Sequence, residues 1–254
     1  MISFAETAMS KPNSIELPGG ARLPILYEDR SVLALDKPRG WMLVPFTWQK
    51  TNRNLAAAIA SSIAAGAFWA RSRNLKFLRH IHRLDADTSG ILLFGKSRGA
   101  VESYGDLFES RQMDKTYLVV VAGVLKATQW TCALALAPDP AQIGRMKVDA
   151  AGKASETHFR VVRTRTAPGA GPLALIEAKP VTGRTHQIRV HLAAAGHPVV
   201  GDALYSPSGT TLFTWPLGLR AVSLRYADPF LKRHVVITAP TAEFLRDYGF
   251  QDSV

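Results

Sequence analysis

The sequence predicts an α+β fold, and three observations carry that prediction. Short apolar runs such as Val32-Leu33-Ala34-Leu35, Ile91-Leu92-Leu93-Phe94 and Leu118-Val119-Val120-Val121 recur along the chain, as buried strands do. Helix-period segments are fewer, the clearest being Val101, Tyr104, Leu107 and Phe108. Strands and helices do not alternate strictly, as a doubly wound βαβ chain requires, and no internal repeat or linker divides the body. At 254 residues and 47% hydrophobic composition the chain can bury a sizeable core.

Residues 1–21 have little periodicity and reach a breaker at Pro18-Gly19-Gly20, so they are expected to form a flexible extension, with residues 22–254 as one domain. Leu23 to Asp36 reads as two short strands about a turn at Glu28-Asp29-Arg30. Asp36-Lys37-Pro38-Arg39-Gly40 breaks the second, and Lys37 there is either a phosphate contact or a solvated turn lysine. Asn54 is placed to cap a helix starting near Leu55. The Ala-rich stretch from Leu55 to Ala70 is too short and too polar to span a membrane and is read as a soluble helix. Further strands are expected over Lys115–Val121, Trp130–Leu136, Thr157–Val162, Leu173–Ala178, Val222–Arg225 and Val235–Ile237. Helices are expected over Gly99–Glu109 and Pro240–Tyr248. Thr185 to Ala195 fits both periods, but its Ala193-Ala194-Ala195 run and the stop at Gly196 favour helix.

Lys plus Arg number 31 against 20 Asp plus Glu, a net charge of +11, which favours a polyanionic partner, nucleic acid before membrane. Arg71, Arg73, Lys76, Arg79 and Arg83 cluster among Trp69, Leu75, Phe77 and Leu78, the mixture a nucleic-acid groove uses. A lone cysteine, Cys132, forms no intrachain disulfide, and no signal-peptide pattern opens the chain, so the cytoplasm is the expected compartment.

The densest chemistry lies at Arg79-His80-Ile81-His82-Arg83-Leu84-Asp85-Ala86-Asp87-Thr88-Ser89-Gly90, a polar loop feeding directly into the Ile91 strand. His186, His191, His197 and Asp202 are candidate metal ligands, but the histidine spacings do not stack two ligands on one helical face, so no metal is expected. Ser89 lacks the Gly-x-Ser-x-Gly elbow of a hydrolase, and Thr88 and Ser89 are expected to bond the loop backbone. No phosphate-binding glycine loop is present, so no nucleotide cofactor is indicated. A carboxylate chemistry with arginine support remains.

The ordered blocks His82-Arg83-Leu84-Asp85-x-x-Thr88-Ser89-Gly90, Lys115-x-Tyr117, Thr182-Gly183-Arg184-Thr185-His186-Gln187-Ile188-Arg189-Val190-His191 and Gly196-His197-Pro198-x-x-Gly201-Asp202 resemble the RluA-type pseudouridine synthases. Ile25-Leu26-Tyr27-Glu28-Asp29 and Asp36-Lys37-Pro38-x-Gly40 fit the same family. The resemblance implies an isomerase that converts uridine in ribosomal or transfer RNA to pseudouridine, without a cofactor, in a cleft of a mixed, largely antiparallel sheet. It puts the catalytic aspartate on Asp85, the active-site tyrosine on Tyr117, and the arginine pairing with the aspartate on Arg184. Arg83 matches the residue that opens the base stack. Substrate contacts are expected from Arg83, His82, Arg71, Arg73, Lys76, Lys115 and Ile188, with structured RNA as partner and a monomer as the working form. Asp87 is read as structuring the loop; a paired-carboxylate glycosidase using Asp85 and Asp87, and a non-catalytic RNA-binding protein, are the alternatives. The family's frequent N-terminal S4-type module has too little chain before the body to fit, and Arg220 stands where relatives commonly carry histidine.

Overall fold

The computed structural model describes residues 11–43, 53–167, 171–206 and 215–250. One mixed sheet dominates. Its first strands are β1 (Ser14–Glu16), β2 (Arg22–Glu28), β3 (Val32–Lys37), β4 (Arg79–His80) and β5 (Ser89–Gly95). They are followed by β6 (Asp114–Ala122), β7 (Gln129–Cys132), β10 (Thr157–Ala167), β11 (Gly171–Pro180), β12 (Leu219–Ala227) and β13 (His234–Thr238), with β8 (Leu136–Pro138) and β9 (Met146–Val148) forming a separate hairpin. The strand order is β1-β2-β3-β5-β12-β6-β11-β10-β7, with β13 on β12 and β4 on β5. The helices are α1 (Leu55–Ala64), α2 (Phe68–Arg71), α3 (Arg98–Glu109), α4 (Gln187–Ala194) and α5 (Ala242–Asp247).

The apolar runs become strands because both faces are covered. All residues of β5 are buried, with Leu33 and Leu35 of β3 beside Leu92 and Phe94 on one face and Val32 and Ala34 beside Ile91 and Leu93 on the other. Strand β12 lies between β5 and β6; it runs parallel to β5 through Arg220↔Ser89 and Ala221↔Gly90, and antiparallel to β6. Gly90 is required there. Its φ is +108°, and a β-carbon would collide with the Ala221 backbone.

The expected strands recur, mostly longer than expected, and the Thr157 and Leu173 strands form an antiparallel pair with a bulge between Val161 and Arg163; the helix expected from Leu55 to Ala70 instead breaks into α1 and α2, and the closing helix shortens to α5. Asn54 does cap α1, its Oδ1 accepting from Ala57 N at 3.1 Å. The stretch from Trp130 to Leu136 splits into β7 and β8.

The extension expected over residues 1–21 needs correction. Residues 1–10 lie outside the described residues, but β1 pairs with β2, and Ile15 and Leu17 are buried. Glu16 O accepts from Trp69 Nε1 (3.0 Å) and Ser62 Oγ (2.9 Å), which ties β1 to α1 and α2. The folded body therefore begins before residue 22. No helix among the described residues is long and apolar enough to cross a membrane.

Candidate active site

A cleft of about 480 Å³ opens over β6, β12 and the start of α4, and the loop entering β5 forms its other wall. Asp85, Tyr117, Arg83, His82, Lys115, Ile188 and Arg184 all line it. Strand pairing explains the convergence. Tyr117 sits in β6 opposite Ala221 of β12 and Ala178 of β11, and the chain leaving β11 turns through Thr182–His186 into α4.

Asp85 is carried by a loop with a buried anchor. Lys37 is fully buried and donates from Nζ to Ala86 O (2.7 Å), Thr88 O (2.8 Å) and Pro38 O (3.0 Å). Burial pulls its ammonium down to about 8, against the charges of Asp87 and Asp85. Lys37 is thus neither solvated nor free for phosphate. Thr88 N donates to Asp85 O at 3.2 Å, while Thr88 Oγ1 is buried with no partner among the described residues, contrary to its expected backbone bond.

The guanidinium beside Asp85 belongs to Arg189, a correction to the expected pairing with Arg184. Arg189 Nη1 donates to Asp85 Oδ2 at 3.3 Å, and its Nε and Nη2 form two 2.7 Å bonds to the buried Asp202. Burial works against that charge, but Asp202 and then Asp85 more than restore it, so Arg189 is held protonated. Arg184 lines the cleft but donates from Nε to Ala154 O at 3.2 Å. The local backbone is the cause. His186 adopts φ +55° and ends the loop, so α4 starts at Gln187, leaving Arg184 on the loop and Arg189 on the helix. Gln187 fixes that loop by accepting from Thr182 Oγ1 (2.7 Å) and Arg184 N (3.0 Å) and donating to Glu156 O (2.9 Å).

Tyr117 is half-buried between two hydrophobic clusters. Burial, then the charge of Asp85, pushes its phenol well above the ordinary range, so it stays protonated. Lys115 donates to Thr182 O at 3.3 Å, and burial lowers it to about 8. His82 stacks on Phe108 at 4.5 Å and accepts at Nε2 from Leu93 N (3.1 Å); burial and Lys115 push it down to about 3, so it is neutral. It is a wall of the cleft, not a cation for phosphate. Ile188 is buried in the wall.

The cationic cluster divides. Arg71, Lys76, Arg79 and Arg83 are exposed, and of these only Arg83 lines the cleft. Arg73 is a correction: its side chain is 4% exposed and bonds Glu28 Oε2 (2.8 Å), Pro12 O (2.7 Å) and Trp69 O (3.2 Å), a structural brace unavailable to RNA. Arg220 is likewise internal, reaching Asp36 Oδ2 at 2.7 Å and Pro240 O at 2.9 Å.

Sequence reasoning missed Arg189, Asp202 and Tyr205 as parts of the site, although all three stand in or beside the quoted motifs. Asp202 Oδ1 also accepts from Leu204 N and Tyr205 N, which folds the Asp202–Tyr205 turn against Arg189. His191 is spent on Ser155 Oγ and Thr157 Oγ1, and no group of three metal-ligating side chains occurs among the described residues.

A mixed sheet thus carries a carboxylate, a protonated tyrosine and an arginine in one cleft, and comparison with known proteins gives the class as a pseudouridine synthase domain. A family model described as RNA pseudouridylate synthase matches residues 31–194. An "Uncharacterized RNA pseudouridine synthase YhcT" of Bacillus subtilis is 32% identical over 237 residues, covering 93% of this chain and 74% of that protein. The "Ribosomal large subunit pseudouridine synthase C" of Escherichia coli is 34% identical over 233 residues, covering 87% and 67%. Among solved structures, "Human RNA Pseudouridylate Synthase Domain Containing 1" superposes with a TM-score of 0.69 at 27% identity, over 86% of this chain and 83% of that one. The chain belongs to the RNA pseudouridylate synthase family, and within it to the RluA type, isomerases acting on uridine in RNA.

Proposed function

We propose that the chain isomerises uridine in ribosomal RNA of the large subunit, with Asp85 as catalytic residue, Tyr117 as the platform and proton-handling phenol, and Arg189 as the partner of the carboxylate. The N1–C1′ bond breaks, the base rotates, a C5–C1′ bond forms, N1 gains a proton and the C5 proton leaves. The reacting atoms are hidden in a stack, so the nucleotide must be flipped out, and exposed Arg83 at the cleft suits the gap it leaves.

The observation that carries this reading is the placement of Asp85 in the cleft with Arg189 on one oxygen. A carboxylate acts at C1′, as nucleophile or as counter-charge, only when ionised, and a fixed guanidinium favours that form. Ribosomal RNA is favoured over transfer RNA by the relatives' names; the cytoplasm and a monomer complete the reading. The chemistry needs no cofactor, because nothing is oxidised or hydrolysed.

The test is tritium release from RNA labelled at uridine C5, with RNA binding measured in parallel. Asp85→Asn is expected to release none while binding RNA within about tenfold of wild type, since phosphate contacts supply most affinity. Asp87→Asn is expected to retain substantial turnover. Equal activity in wild type and Asp85→Asn overturns the assignment; equal loss in both variants favours paired carboxylates. Release from transfer RNA alone would replace the ribosomal substrate.

A further inference from the structure

A directed chain of hydrogen bonds stands behind Asp85. The Met146 backbone N–H, on β9, donates to the Tyr205 hydroxyl at 2.8 Å, and that hydroxyl lies 2.8 Å from His186 Nδ1. The phenolic proton needs an acceptor, and among the described residues Nδ1 is the one within reach, so Nδ1 accepts and a neutral imidazole carries its proton on Nε2. Nε2 faces Asp85 Oδ2 at 3.8 Å, the same oxygen that Arg189 reaches at 3.3 Å. The groups facing the ring are Arg83 and Asp85 from the β5 loop, Arg189 from α4, and Asp202 and Tyr205 from the following turn. Burial outweighs the two carboxylates and keeps His186 below its ordinary range, so the neutral form prevails. The residue also holds a left-handed backbone at φ +55°, a conformation disfavoured outside glycine. The Tyr205 ring is itself fixed, with the guanidiniums of Arg189 and Arg145 centred 5.1 and 5.5 Å from it.

We propose that Tyr205 and His186 are positioning residues for the isomerisation: they set an N–H donor beside Asp85 Oδ2, holding that oxygen between His186 and Arg189 so that Oδ1 is the one presented to C1′ of the flipped uridine. The inference rests on Asp85 being the catalytic residue. The 3.8 Å approach tightens to a hydrogen bond when RNA closes the cleft, as catalytic contacts commonly do. Aiming one carboxylate oxygen is a matter of orientation, so its loss lowers turnover and leaves RNA binding alone.

The experiment uses the full chain, tritium release across a range of RNA concentrations up to saturation, and RNA binding. Tyr205→Phe keeps the ring over Arg189 and removes the hydroxyl, both its proton to His186 and its acceptor for Met146 N; turnover is expected to fall about tenfold with KM unchanged within about twofold. His186→Ala is expected to lose about a hundredfold, and His186→Gln, which returns an amide N–H near the Nε2 position, to recover about tenfold of that. Wild-type turnover in Tyr205→Phe overturns the relay, as does a loss confined to KM. Glutamine no better than alanine, both folded by thermal melt, also overturns it; if alanine does not fold, Tyr205→Phe decides alone. The underlying reading fails separately, if Asp85→Asn retains turnover.

Discussion

Arg189 reaches Asp85, whereas Arg184, in the same short motif, turns to Ala154 O. The motif was legible in the sequence, but the choice of arginine was not. It depends on where a left-handed residue ends the loop, and periodicity over Thr185–Ala195 fits strand and helix alike. A sharp difference follows. Arg189→Lys keeps the charge but loses the two-pronged grip on Asp202, so turnover is expected to drop at least about tenfold. Arg184→Met removes a bond to one carbonyl at the cleft wall and is expected to keep turnover within about threefold, with any effect in KM. Steady-state tritium release separates the two; the reverse ranking would return the supporting role to Arg184. Arg73 likewise stands among exposed cations in sequence, and its contacts with Glu28, Pro12 O and Trp69 O reveal it as a brace.

Among elements, the loop that carries Asp85 owes its shape to β3, far from it in sequence. The break after β3 at Pro38 was readable, but the burial of Lys37 was not, because a lysine beside a turn ordinarily points to water. Here it serves carbonyls of Ala86 and Thr88, on the chain just after Asp85. Lys37→Met matches its length and abandons three acceptors; unsatisfied buried groups cost about 1–3 kcal/mol each, partly offset by removing a desolvated charge. A net loss of about 2–4 kcal/mol is expected. Urea unfolding measures it, and turnover should fall as the loop slackens. Unchanged stability would mean that Lys37 is not the anchor. Strand β1 was hidden for a related reason: its three residues are too few for a periodic signal, and its order comes from Trp69 and Ser62.

For the whole molecule, the charge of +11 was read from composition, and the fold sorts its cations into braces and exposed groups. Arg71, Lys76, Arg79 and Arg83 are exposed, as is Arg111 on the cleft lining. If these five meet phosphates, RNA affinity is expected to fall by roughly two to three decades between about 50 and about 200 mM salt; a flat dependence measured by filter binding would exclude them as the RNA path. The α+β class and the central strands were legible because β3, β5 and β11 are buried on both faces along continuous apolar runs. Strand order was not, since nothing local tells β12 to enter between β5 and β6. That insertion ties the site to the order of synthesis. Asp85 and Tyr117 leave the ribosome well before the strand between their supports, Leu219–Ala227. A nascent chain thus carries its chemical groups ahead of the floor that holds them, and the cleft comes into being only when β12 is threaded between β5 and β6.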